Sequence, residues 1–164
     1  MQERSAVAAA KALWERGSSR AACARLRKLV DKEPSHPARL QLLDYLLQDG
    51  RPSEALHLIR SQRATWSEDL QVLYRQAIAE HLLGEYSQAR HSYQRIAKIG
   101  ADKEAWLRIA ESGLAGLDRE QELRERAESA RGRAGLLAGL GGGGLFLFSG
   151  LVWVLARRMK RRCD

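Results

Sequence analysis

Little in this chain supports a reactive centre. It has two cysteines, Cys23 and Cys163, 140 positions apart, too few and too distant for a disulfide framework or a thiolate metal site. Asparagine is absent, proline occurs three times, and aromatic residues make up only 6% of the chain. The four histidines, His36, His57, His81 and His91, form no His-x3-His or Cys/His spacing. Metal motifs need such spacing to bring ligands to one side of an element. Metal binding is therefore not expected, and His36, His57 and His91 read as solvated surface residues. No nucleophile sits beside a candidate base, so neither catalytic residues nor a cofactor are expected.

Residues 1–16 are not expected to act as an N-terminal export signal. Residues 1–16 carry Glu3, Arg4, Lys11, Glu15 and Arg16, and the run Ala6–Ala10 is too short for the apolar core of a signal. The chain is expected to start in the cytosol.

What is present is a 164-residue chain with 45% hydrophobic and 29% charged residues, enough to build a packed core. The net charge of +8 is unevenly spread. Residues 1–117 carry 18 basic and 14 acidic groups, residues 118–134 five of each, and the last eight residues five basic groups and one acid. Half of the excess therefore sits in a tail of eight residues, a pattern of a flanked membrane segment rather than a nucleic-acid surface.

A period of 33–34 residues organises the first part of the chain. The segments GSSRAACARL, GRPSEALHLI and GEYSQARHSY begin at Gly17, Gly50 and Gly84 and align Ala22 with Ala55 and Ala89, and Leu26 with Ile59 and Tyr93. Each copy reads as two helices joined by a turn at the glycine. The alanine lets the helices approach, and the larger apolar residue fills the seam with the next copy. Such units cannot bury their apolar faces alone and must stack.

This pattern resembles the tetratricopeptide repeat family, most closely over LYRQAIAEHLLGEYSQARHSYQRIAKIGAD, residues 73–102, with Ala77, Gly84, Tyr86, Ala89 and Tyr93 in place. It departs from the family where Gly100 replaces the usual proline after Ile99. The resemblance spans residues 3–117 and implies an all-α stack of about three helical hairpins. Residues 103–117 form its capping helix, with Trp106, Ile109, Ala110, Gly113, Leu114 and Leu117 on a helical spacing and Arg108 and Glu111 facing water.

The resemblance further implies a groove, lined by the first helices, that takes a peptide or helix of a protein partner. The groove positions are Lys11 and Trp14 from the first unit, Gln41, Tyr45 and Gln48 from the second, and Tyr74, Ile78 and His81 from the third. Exposed aromatics beside polar groups suit recognition, although Trp14, Tyr45 and Tyr74 equally suit a core or seam. The carboxylate clamp of one subclass needs asparagine, which this chain lacks; Arg75 alone does not make it.

Residues 118–133 alternate charges, with Glu120–Arg124 and Glu122–Arg126 at i, i+4, and are expected to form a solvated helical stalk. Residues 134–156 contain no charge. A helix of that length spans about 34 Å, enough for a bilayer core of about 30 Å. A single transmembrane helix is expected there, followed by a basic tail, 157–164, with Arg157, Arg158, Lys160, Arg161 and Arg162. Gly135, Gly139 and Gly143 stand four apart, a ridge that permits close helix pairing and self-association in a membrane.

Two rules conflict on topology. Without an export signal in residues 1–16 the repeats are expected to be cytosolic, whereas the dense basic tail favours the opposite orientation, with the repeats periplasmic or lumenal. The cytosolic arrangement is preferred. The expectation is a single-pass, tail-anchored adaptor or scaffold that contacts membrane lipid and assembles a membrane-associated complex. Two further readings stay open. One is a structural subunit of a multisubunit membrane complex. The other, weaker, is nucleic-acid or anionic-lipid binding through the basic N-terminal repeat, residues 1–32.

Overall fold

The computed structural model describes residues 2–131, with side chains from Ser5 onward; the uncharged run 134–156, the glycines at 135, 139 and 143 and the basic tail lie outside the described residues. Among the described residues the chain is all helical, and none of its helices is long and apolar enough to cross a membrane. Packing divides the chain into one unit covering Met1–Leu117 and another beginning at Asp118.

The first unit contains α1 (Gln2–Glu15), α2 (Ser19–Lys32), α3 (Ala38–Gln48), α4 (Pro52–Ser61), α5 (Arg63–Trp66), α6 (Leu70–Leu82) and α7 (Tyr86–Ile99). A last helix, α8, contributes residues 104–117 to this unit. Three hairpins result: α1 with α2, α3 with α4, and α6 with α7.

The repeated glycines explain the hairpins. Gly17, Gly50 and Gly84 adopt φ of 78°, 70° and 76°, the left-handed region that side chains disfavour. Each closes its helix in the same way. The glycine N–H donates to the carbonyl three residues back, Trp14, Leu47 or His81, and the next N–H donates to Leu13, Leu46 or Glu80. This paired arrangement satisfies carbonyls that the helix end would leave open. Five residues further on, Ala22, Ala55 and Ala89 are fully buried, and Leu26, Ile59 and Tyr93 follow in the seams. The first helices bury Ala10, Leu43 and Ala77 at one shared repeat position.

The connection from α4 to α6 differs from the simple repeat. Residues 63–66 form the short α5, which carries Trp66 into the core at 2% exposure. Its indole N–H donates to the Pro34 carbonyl at 2.8 Å, tying this connection to the preceding one. His36 is buried there as well, and its Nδ1 accepts from the Ala38 amide at 3.0 Å, opening α3. This corrects the expectation of a solvated His36; His57 and His91 are exposed. Asp69 caps α6 by accepting from the amides of Gln71 and Val72.

Two apolar clusters fill the unit. One joins α1 to α5 through Leu26, Leu42, Leu46 and Trp66 and ends at Val72 of α6. The other gathers Leu73, Ala77, Tyr93, Ile96, Ala110 and Leu117. Thus α6 lies at the seam, giving Val72 to the first cluster and Leu70, Leu73 and Ala77 to the second, and ion pairs reinforce it. Arg39 pairs with Asp69, and Arg75 grips Asp44 with Nε to Oδ1 at 2.8 Å and Nη2 to Oδ2 at 2.7 Å.

Helix α8 packs Trp106, Ala110, Leu114 and Leu117 against the second cluster and leaves Arg108 and Glu111 exposed. Residues 118–131 of the second unit are helical and exposed except at Glu120, with Glu120–Arg124 at 3.0 Å and Glu122–Arg126 at 2.6 Å.

Candidate functional site

The candidate site lies on the first helices α1, α3 and α6. At one end Lys11 is exposed and faces Glu15 at 3.8 Å. One turn on, Trp14 lies half-buried over Tyr45, ring on ring, with centroids 4.0 Å apart and planes 10° from parallel. Gln41 donates from Nε2 to the Tyr45 hydroxyl at 2.8 Å. Three of the residues assigned from the sequence are therefore brought into one contact group spanning two helices. Tyr45 itself is buried at 7% exposure, because Trp14 covers its face. It is a seam residue rather than an exposed recognition aromatic, and Trp14 presents the outer ring face. Gln48, one turn beyond Tyr45, is exposed.

The positions on α6 form separate contacts. Tyr74 is half-buried and meets Trp106 of α8 edge to face at 6.5 Å between centroids. His81 meets Tyr86, on α7, edge to face at 5.7 Å. Ile78 is partly exposed.

Sequence reasoning did not foresee Asp44 and Trp106 at this face. Asp44 is held by Arg75, whose Nη1 also donates to the Gln71 carbonyl at 2.9 Å. All three guanidinium nitrogens are thus engaged within the protein, so Arg75 is a seam strut and not a carboxylate receptor. The i, i+31 spacing carries no signal in a single sequence, since it reports a contact between repeats rather than within one helix.

The surroundings of Asp69 fit a structural role for its pair with Arg39. Burial pushes the Asp69 carboxyl upward and is the largest single influence. The hydrogen bonds from Arg39 and the Val72 and Gln71 amides, with the Arg39 charge, together outweigh it and hold the group below its ordinary value. Burial pushes the Cys23 thiol up, as expected of an inert core cysteine rather than a reactive one. Among the described residues no group of three or more His, Cys, Asp or Glu side chains is placed to hold a metal ion.

No protein-family model matches the sequence, and no curated protein does. The fold is nonetheless similar to a solved structure, the crystal structure of the P58(IPK) TPR domain, with a TM-score of 0.55 at 16% sequence identity. The likeness covers 74% of this chain and 34% of that chain. At that identity it is a likeness of fold: the hairpin stack is tetratricopeptide-like.

Proposed function

We propose that this chain is a non-enzymatic, membrane-anchored adaptor. Its first-helix face receives a peptide or helix of a protein partner during assembly or biogenesis of a membrane-associated complex. The observation that carries the reading is the tetratricopeptide-like stack with Trp14, Gln48, Tyr74, Ile78 and His81 at least partly open on its first helices. The ring of Trp14 is already held flat by Tyr45, so it loses little side-chain freedom when a partner covers it. Lys11 and Gln48 supply polar contacts at the rim, where they orient a partner more than they tighten it.

The anchor is proposed from residues 134–156, uncharged throughout and followed by five basic residues. Anchoring confines the repeats near the membrane and raises their effective concentration toward partners there. The glycine ridge at 135, 139 and 143 is proposed to pair with a second copy or a partner helix, and the repeats to lie on the cytosolic side.

The test is quantitative affinity capture with the full chain, comparing wild type with a combined Lys11→Glu, Gln48→Ala, His81→Ala variant. A partner that depends on the first-helix face falls at least about tenfold, the scale of losing one strong interface contact. Equal recovery by both proteins would contradict the groove. Protease protection in sealed vesicles tests the orientation: the N-terminal tag should be digested and the C-terminal tag protected.

A further inference from the structure

The second helices carry a pocket that the proposed groove does not use. It has a volume of about 400 Å³ and opens between α4, α5 and α7, with α6 as its floor. Trp66 backs one wall, its N–H engaged by Pro34; at 2% exposure it shapes the pocket rather than offering open ring surface. At the floor lie Glu80 and Ser92, 2% and 1% exposed. Ser92 Oγ donates to Glu80 Oε2 at 2.7 Å, and Gln76 Nε2 donates to Oε1 at 2.7 Å. Both carboxylate oxygens therefore already have protein donors.

The rim has the opposite sign. Arg60 comes from α4, Arg63 from α5 and Arg95 from α7, with His91 beside them. Arg63 is exposed, and no acid lies within ion-pair distance of it among the described residues. Arg95 directs one N–H to the Ser67 carbonyl at 2.7 Å, which fixes its direction while its other donors are available. Arg60 meets Glu85 at 3.3 Å with most of its side chain exposed, a weak attachment. Three guanidinium groups thus surround a concavity whose floor acid is internally satisfied. Low-dielectric walls concentrate such a field.

We infer that this pocket is a second binding site, for the carboxylate side chains of an acidic peptide segment. Guanidinium forks match carboxylates in two-point geometry. The volume accommodates one or two acidic side chains and lies within the range of small-ligand sites. Ser87 and Gln88 on the same rim can hydrogen-bond the peptide backbone. None of these residues belongs to the first-helix face, so the two sites can fail independently.

The experiment uses the full chain in detergent micelles and a fluorescein-labelled hexaglutamate peptide read by anisotropy. Saturable binding is expected, with no binding of the labelled hexaglutamine control. Arg63→Glu is the main variant, since Arg63 is exposed and its loss leaves no buried group unpaired. Arg108→Glu makes the same charge change on α8, away from the pocket. Arg63→Glu should weaken hexaglutamate about fivefold or more, and Arg108→Glu less than about twofold. Gln48→Ala with His81→Ala should leave the affinity unchanged. Absence of binding, equal losses in the two arginine variants, or displacement of the peptide by hexathymidylate as effectively as by unlabelled hexaglutamate would overturn the site.

Discussion

Two glycines separate the two reasons a position can demand glycine. A Cβ on Gly50 would meet nothing within 4 Å, but its φ is 70°. Gly50→Ala should therefore lower stability by about 1 kcal/mol through the backbone alone. A Cβ on Gly113 would lie 2.3 Å from Cε1 of Tyr93, so the ring must move. Gly113→Ala should cost about 1–3 kcal/mol by overpacking. Tyr93→Leu in the same chain should recover part of that loss, since both changes share one space. Urea denaturation of the four proteins of that cycle checks this, and strictly additive losses would contradict it. Asp69 gives a pH signature. Its folded carboxyl lies below the ordinary range. Its contribution is therefore present above the unfolded value and is lost as pH falls through the folded value. Wild type should lose stability as pH falls below about 5 more steeply than Asp69→Asn, measured by urea midpoints. Identical acid profiles would contradict the assigned pair with Arg39.

At the scale of elements, the hairpins were legible because their cause is local. A glycine needed at positive φ, an alanine five residues later and a large apolar residue four beyond that recur whenever the same hairpin recurs. The capping helix was legible for the same reason, from the helical spacing of Trp106, Ala110, Leu114 and Leu117. What could not be read is what joins one repeat to the next. Residues 63–66 have no helical signature of their own, and α5 exists because Trp66 reaches the core and the Pro34 carbonyl. The Arg39–Asp69 and Arg75–Asp44 pairs, the buried His36 and the buried Glu80 are likewise products of stacking. Tyr45 illustrates the limit at the candidate site: helix periodicity put it on the face with Gln41 and Gln48, and only the position of Trp14 decides that it is covered. Trp66→Ala should cost about 3 kcal/mol or more, the range for a buried large aromatic. Because Trp66 belongs to the first apolar cluster, the loss should appear as earlier exposure of amides in α3 and α4 by hydrogen exchange. A loss confined to α5 would contradict its role as the joint between hairpins.

For the whole molecule, the proposed function needs the tetratricopeptide-like unit to present one face to a partner and residues 134–156 to hold it at a membrane. Both apolar clusters lie within residues 10–117, and the inter-repeat ion pairs lie there too. The sequence carried the class of architecture and left the partner open. Residues on the first helices report a surface, and its chemistry, aromatic and mildly basic, fits many peptides. The most direct measurement is site-specific photocrosslinking in the full chain, in the cells that make it, with the photoreactive residue at Gln48 or at Glu111. Both positions are exposed, one on the first-helix face and the other on α8, away from both proposed sites. A discrete protein adduct in the membrane fraction is predicted from Gln48 and none from Glu111. Adducts from Glu111 with none from Gln48 would contradict the first-helix face as the partner site.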